Sequence, residues 1–480
     1  MSSIKRNFSY NFIYQILTLG FSLITSPYIA RVLGPEKSGI YSYTYSIANY
    51  FYLFAMMGVN NYGNRSIAMA RDHKEELSRT FSGIYALQVV HAICASVLYM
   101  LYLCVIVKED KLVAAIQLIY LVASTFDINW LFFGLEKFKL TVTRNIIIKL
   151  LTLIGIFLFV HDERDLYLYT LVMAGSYLLS TLALWPYVKR DVKLVRVSRQ
   201  EIFAHAKPMF VMFIPVVAIS IYNVMDKVML GAICSKSQVG YYDYSERIMQ
   251  IPTALISALG TVMLPRMSNL AKNGNIEKSR EYIAKSMQFI LFLSFACTFG
   301  IAGIAPVFAP VFLGEKYTAC IVLIITLAPI AVFKAWANVV RTQYLIPNGK
   351  DKDYVISVVL GAAVNVVINL MLIGKLQALG AVIGTVIAEL VVAIYQTIAA
   401  KDALQIRLYI HNGWFYAVGG IIMFFSVRFI GRELGNKVIT LVLQVIVGGS
   451  IYIIISFLYI HFTKVAISNH IIFKKPRRRN

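Results

Sequence analysis

Charge is scarce in this sequence. Only 15% of its 480 residues are Asp, Glu, Lys or Arg, while 59% are hydrophobic; a water-soluble chain carries nearer ~25% charged residues. That shortage excludes a globular cytosolic enzyme. Cysteine is almost as rare. The five present (Cys94, Cys104, Cys234, Cys297, Cys320) show no C-x-x-C spacing, which removes a thiol zinc site and a redox motif and leaves packing residues. No G-x-x-x-x-G-K-[ST], H-E-x-x-H or G-x-S-x-G is present, and the seven histidines are scattered, so neither P-loop nucleotide hydrolysis nor zinc or serine hydrolysis is written into the chain. Long polar segments are missing as well. Connections such as 108–111 and 161–165 are too short to hold a catalytic domain outside a membrane.

What fills the sequence instead is continuous apolar stretches, with a mean hydropathy of +0.69. Their length and lack of two-residue alternation fit membrane-spanning helices and not a β-barrel. Runs bounded by charge or turn residues predict helices over 8–30, 41–62, 79–107, 112–134, 143–160 and 166–188, then 208–232, 242–265, 283–313, 318–345, 354–374 and 378–400, and finally 412–431 and 437–461. The first run follows Lys5 and Arg6 but is too long for a signal peptide and lacks a small-residue cleavage site. The predicted organisation is an N-terminal six-helix bundle (1–188), a basic cytoplasmic linker (189–207), a second six-helix bundle (208–401), two additional transmembrane helices (412–461) and a basic cytoplasmic tail (462–480). The fold class is therefore an all-α integral membrane protein of about 14 spans.

Forty-six basic residues against 24 acidic ones leave a formal charge of +22. In a soluble protein this would raise nucleic-acid binding; in a membrane protein it fixes orientation and meets anionic lipids, so no nucleic-acid partner is expected. With an internal N-terminus, 31 basic residues fall on one side, 11 on the other and four within spans. Both termini are accordingly expected to be cytoplasmic.

An internal repeat gives the architecture. Gly39-Ile-Tyr41-Ser-Tyr43 matches Gly240-Tyr-Tyr242-Asp-Tyr244 at an offset of 201, which also carries Arg65 onto Arg266. Six helices separate the copies, so both halves enter the membrane in the same sense, a parallel repeat around a central cavity.

Ionisable groups inside spans cost at least ~2.5 kcal/mol each and mark functional sites unless snorkelling explains them. Glu389 lies about eleven residues into its predicted helix, near the bilayer centre. Lys149 and Lys334 are close enough to an end to snorkel. Asp127, Asp226, Lys227, Glu246 and Arg247 lie in spans or at their ends, Arg31 sits where the first helix meets its outer loop, and Asp243 and Arg247 are spaced to pair. Tyr41, Tyr45 and Tyr52 share roughly one helical face and offer flat rings suited to stacking on sugars, or alternatively an interfacial aromatic belt. Asn60, Asn61, Asn365 and Asn369 add amides in or near spans.

Four segments in order resemble a known family: Arg31-Val-Leu-Gly-Pro-Glu-Lys-Ser-Gly-Ile-Tyr41, Val239-Gly-Tyr-Tyr-Asp-Tyr-Ser-Glu-Arg-Ile248, Met263-Leu-Pro-Arg266 and Leu379-Gly-Ala-Val-Ile-Gly-Thr-Val-Ile-Ala-Glu389. Together they are similar to the bacterial polysaccharide repeat-unit flippases, the Wzx type, of the multidrug/oligosaccharidyl-lipid/polysaccharide exporter superfamily. The resemblance implies a non-enzymatic transporter, acting as a monomer in the bacterial cytoplasmic membrane. It would move an undecaprenyl-diphosphate-linked oligosaccharide to the outer leaflet by alternating access, for capsule, exopolysaccharide or teichoic acid type export. Polysaccharide polymerase and glycosyltransferases are the further partners it implies, beside membrane lipids.

On this basis Arg31, Lys227, Arg247 and Lys334 are assigned to the diphosphate, Tyr41, Tyr45 and Tyr52 to the sugars, and Glu389, Asp127 and Asp226 to coupling with Na⁺ or a proton. No metal and no other cofactor is expected. The second helix lacks an arginine between Tyr41 and Tyr62, unlike the lipid II flippases of the superfamily, which counts against a lipid II substrate. The competing readings are a multidrug or cation exporter of the same fold and a membrane-embedded polymerase or glycosyltransferase.

Overall fold

A computed structural model describes the backbone of residues 2–472 and side chains over 17–461 except positions 19 and 222. The side chains of Lys5 and Arg6 and the basic run at 474–479 lie outside the described residues. Among those described there is no strand. Eighteen helices follow in order: α1 (Ser2–Met56), α2 (Val59–Ala70), α3 (Lys74–Val105), α4 (Lys111–Phe126), α5 (Asn129–Gly134), α6 (Phe138–Phe159), α7 (Leu166–Leu182), α8 (Trp185–Val188) and α9 (Arg199–Ala204). The rest are α10 (Ala206–Ile233), α11 (Lys236–Lys272), α12 (Ile276–Leu313), α13 (Cys320–Leu327), α14 (Ile330–Val340), α15 (Asp351–Leu376), α16 (Ala378–Ala400), α17 (Ile406–Leu434) and α18 (Val438–Ile472).

Twelve segments among the described residues are long and apolar enough to cross a membrane. Of the two remaining spans expected from sequence, 8–30 lies in α1, while 41–62 is divided between α1 and α2 by a break at Met57 and Gly58; α1 itself is broken at Gly34 (φ 69°, ψ 176°) ahead of Pro35. Glycine tolerates that φ and proline withholds the N–H that would bridge the break, so the helix restarts in a new direction. Large apolar side chains such as Val105 and Phe429 face outward, as lipid contact requires.

The chain divides into two units, 1–240 and 241–480, with the boundary inside α11. The division comes later than the 189–207 segment because α10 packs on α1 and α2. Met209 and Phe213 of α10 press their backbone against Gly58, Phe54 meets the Phe213 ring edge-on at 5.4 Å, and Tyr50 donates to the Ser220 carbonyl. Within this first unit residues 35–39 and 236–240, at the start of the two repeat copies, approach backbone to backbone. A methyl group placed on Gly39 would fall on the Lys236 carbonyl, and one on Gly240 would fall on the Pro35 carbonyl. Positions 35 and 236 are related by the same offset of 201 as 39 and 240, so the contact is reciprocal.

In the second unit α15 and α16 form a close pair. Bilayer lipid is as apolar as leucine, so helices associate through close packing and polar bonds, and small residues let backbones approach. Gly380 and Gly384 do this. A methyl group on Gly380 would come within 2.6 Å of the Leu372 carbonyl oxygen, and one on Gly384 would strike the Asn369 amide oxygen. The glycines of the Leu379–Glu389 segment are thus packing residues. Gly384→Leu is expected to destabilise the protein by about 1–3 kcal/mol, read as an earlier thermal unfolding midpoint in detergent, with Gly374→Leu as the control because nothing lies within 4 Å of that site. The two C-terminal helices pack on α12, where Tyr452 donates to the Phe292 carbonyl at 2.7 Å and Gln288 to the Tyr416 hydroxyl at 3.3 Å.

Candidate functional site

The fourth expected span is a broken helix. Residues 111–134 cross as one apolar segment, yet α4 ends at Phe126 and α5 restarts at Asn129, with Asp127 (φ −77°, ψ 98°) extended between them. A break at membrane depth frees backbone groups that must find partners. They do. Gln88 donates to the carbonyls of Ser124 (2.7 Å) and Asp127 (2.9 Å), the Trp185 indole donates to the Phe126 carbonyl (3.0 Å), and the Trp130 indole holds the Gln88 amide oxygen (2.9 Å). Gln88 and Trp130 are fully buried, so this supporting frame is fixed.

The break aims Asp127 at four donors. Oδ1 accepts the Asn129 backbone N–H (3.1 Å) and Nδ2 (2.6 Å); Oδ2 faces the hydroxyls of Tyr52 (2.9 Å) and Tyr177 (3.0 Å), which are themselves 2.7 Å apart. Two hydroxyl protons can fill only two of these three short contacts at a time. Asn129 is also the bridge to a cation, because its Oδ1 accepts from Arg144 Nη2 at 2.8 Å. Donating to Asp127 and accepting from Arg144 fixes which way the amide points. Arg144 further donates to the Ser180 carbonyl and to Asn145 Oδ1, both at 2.6 Å, and is buried.

These groups line a cavity of about 700 Å³ inside the first unit, within the ~300–1,000 Å³ of pockets that enclose a small-molecule ligand. One wall is tyrosine: Tyr45 packs edge-on to Tyr120 at 5.1 Å, and Tyr120 lies tilted against Tyr177 at 5.3 Å. Another is amide, from Asn60, Asn61 and Asn64 of α2 together with Asn129 and Asn145. Arg144 and Lys149 supply positive charge, Lys149 standing 5.1 Å over the Phe21 ring. Rings with hydroxyls, amides that both donate and accept, and two cations suit a polar ligand rich in hydroxyl groups and carrying negative charge.

A second polar cluster lies in the second unit. Lys334 of α14 and Glu389 of α16 form an ion pair at 3.0 Å, the lysine side chain 37% exposed and the carboxylate 5%. Glu246 and Arg341 are within electrostatic reach of Lys334. Arg247 donates through Nε to Asp243 Oδ2 at 2.8 Å, the i,i+4 pairing expected from spacing, and stands over the Tyr244 ring at 5.5 Å. Close by in sequence, α14 runs into a π-helical turn, Arg341–Leu345. There Gln343 is fully buried and neither amide atom has a hydrogen-bond partner among the described residues. Beside α16, Asn369 donates to Asn365 at 3.1 Å and Gln396 to Ser357 at 2.9 Å.

Of the residues singled out from sequence, Tyr45, Tyr52, Asn60, Asn61 and Asp127 line the first-unit cavity together with Lys149. Tyr41 is buried in the core behind it, edge-on to Tyr169 at 4.8 Å and stacked on Tyr45. Arg31 is exposed on α1, Asp226 is buried on α10 and Lys227 half-buried beside it. Lys334 and Glu389, given separate tasks from sequence, are partners. Sequence reasoning missed Arg144, Asn129, Asn145, Tyr120 and Tyr177. Arg144 was hidden by a boundary: its helix was expected from 143, which puts it at a loop edge, whereas α6 starts at Phe138 and carries it two turns in. The signal that could have found Asn129 is its place two residues after an intramembrane aspartate.

Comparison with known proteins follows the same lines. The chain is 24% identical over 393 residues to a putative O-antigen transporter of Escherichia coli strain K12, covering 81% of this chain and 93% of the relative. Its structure superposes on the lipid II flippase MurJ in an inward closed conformation with a TM-score of 0.78 at 15% identity, covering 96% of this chain and all of that one. It superposes on an inward-facing MATE family multidrug resistance transporter of the MOP superfamily with a TM-score of 0.58 at 14% identity, covering 80% and 95%. At such identity these likenesses establish the fold, that of the multidrug/oligosaccharidyl-lipid/polysaccharide exporters. Residues 4–271, more than half of the sequence, match the model of one family, and the chain belongs to it: the polysaccharide biosynthesis protein family.

Proposed function

We propose that this protein flips an undecaprenyl-diphosphate-linked oligosaccharide repeat unit from the inner to the outer leaflet of the bacterial cytoplasmic membrane by alternating access, for export as surface polysaccharide. The supporting observation is the first-unit cavity, where tyrosines, five asparagines, Arg144 and Lys149 face one space. A diphosphate and its sugars cannot enter hydrocarbon without partners for their polar groups. Tyr45, Tyr52 and Tyr120 would stack against sugar faces, the asparagines would take hydroxyls, and Arg144 with Lys149 would meet negative charge. Arg31, Lys227 and Arg247 are proposed to receive the diphosphate as it moves. Glu389, paired with Lys334, is the proposed point of coupling to Na⁺ or a proton, since a carboxylate that exchanges a lysine for a cation changes the charge of the cluster. For Asp127 the geometry favours a different task from ion coupling. Its acceptor positions are filled by tyrosine and asparagine donors, so it orients the residues that touch the sugar.

The test is transport in vesicles. Wild-type protein reconstituted with a fluorescent lipid-diphosphate-linked oligosaccharide should expose the sugar to an impermeant reagent on the opposite leaflet. Arg144→Gln should slow this by at least about tenfold, the loss of one charge-assisted bond of ~1.5–3 kcal/mol. No transport by the wild-type protein, or equal transport by the variant, would remove the cavity from the reading.

A further inference from the structure

The segment joining α8 to α9, expected to be a linker, is pinned in place. Residues 192–198 form no helix or turn and are tied to α3, where the Lys193 N–H donates to Ser78 Oγ at 3.1 Å and the Val195 N–H to Ser82 Oγ at 3.0 Å. Ser78 and Ser82 are one turn apart on α3 and buried, and Val192 is buried with them. A capping box between Ser198 and Glu201 then closes the segment into α9.

Pinning this strap encloses a cavity of about 690 Å³ against the start of α3, separate from the tyrosine and amide cavity. Six of its lining residues are basic (Lys74, Arg79, Lys189, Arg190, Lys193, Arg196) and two acidic, Glu75 and Asp191. Asp191 is already paired with Lys137, and Arg79 with Glu201 at 3.3 Å. Lys74, Lys189, Lys193 and Arg196 make no ion pair among the described residues. Orienting a membrane protein needs basic residues somewhere on a loop; it does not need four of them converged on one cavity by hydrogen-bonded backbone. The strap and the helix it leads into also carry exposed apolar side chains, Leu194 at 62% and Phe203 at 67%. A site for a soluble anion has no use for them, whereas a lipid offers acyl chains beside its phosphate.

We propose that this cavity is a binding site for an anionic glycerophospholipid, its phosphate held by Lys189, Lys193 and Arg196 and its chains against Leu194 and Phe203. The site is distinct from the one that receives the transported molecule, and its occupancy ties the strap to the membrane surface.

The test uses the full chain in detergent, with native mass spectrometry after addition of phosphatidylglycerol, phosphatidylcholine or inorganic phosphate. Wild-type protein should retain phosphatidylglycerol and not phosphatidylcholine. The triple variant Lys189→Gln/Lys193→Gln/Arg196→Gln should weaken phosphatidylglycerol binding roughly a hundredfold, from the usual contribution of each basic residue at an anionic surface. A control removing equal charge elsewhere, Lys272→Gln/Lys278→Gln/Lys352→Gln, should bind as wild type, and unchanged thermal unfolding of both variants separates lost binding from lost fold. Should the triple variant misfold, Leu194→Ser/Phe203→Ser is the second probe and should still lower retention of the lipid. Equal retention of both lipids, equal loss in the control, or displacement of phosphatidylglycerol by millimolar phosphate would overturn the assignment, the last in favour of a free anion.

Discussion

Lys334→Met should cost more stability than Glu389→Gln, although the two residues form one ion pair. Removing the lysine leaves a carboxylate that is 5% exposed with its opposite charge gone. Breaking a buried pair from one side typically costs about 3–5 kcal/mol. Removing the carboxylate's charge leaves a lysine that still has Glu246 within electrostatic reach, on a flexible stem that can turn toward it. Glu389→Gln is therefore expected to fold near wild-type stability and to lose coupled transport, whereas Lys334→Met is expected to fold poorly. The double variant Lys334→Met/Glu389→Gln should recover most of the stability and none of the transport. Thermal unfolding in detergent beside vesicle flipping decides it; equal destabilisation by the two single changes would overturn this asymmetry.

Asp127→Ala is the other large effect. It strips partners from the Tyr52 and Tyr177 hydroxyls and from two N–H groups of Asn129, and each buried donor left unmet costs ~1–3 kcal/mol. Water in the adjoining cavity relieves some of this, so the expected loss is about 3–5 kcal/mol, with flipping abolished. Asp127→Asn keeps one oxygen acceptor and should retain the fold and part of the activity. Its ion dependence is the informative measurement. Transport by Asp127→Asn that keeps the wild-type response to Na⁺ and pH supports an orienting role; loss of that response would move Asp127 into the coupling machinery.

How much of this was legible in the sequence depends on the distance over which a residue's role is decided. Span positions were readable because hydrophobicity is a local property: the α16 run was expected at 378–400, where the helix lies, and Glu389 is as deep in it as its position implied. The Asp243–Arg247 pair was readable because helical spacing alone brings positions four apart together. The Lys334–Glu389 pair was not, since it joins two helices 55 positions apart and periodicity carries no partner information. The break at Asp127 was missed for another reason. Ser124, Thr125, Asp127 and Asn129 interrupt the apolar run, but the segment as a whole stays apolar, so a single span is read through the site; what permits the break is Gln88, on a different helix, supplying the hydrogen bonds that the backbone gives up. Arg144 shows the limit of boundaries, where an error of five residues turns an intramembrane cation into a loop residue.

The reciprocal contact at Gly39 and Gly240 carries a consequence for substitution. Each glycine rests on a backbone carbonyl at the position equivalent to its counterpart's, Lys236 for Gly39 and Pro35 for Gly240. A side chain at either would have to displace main chain, which cannot swing aside as a flexible side chain can. Trimming the opposite glycine makes no room, because both already lack a side chain.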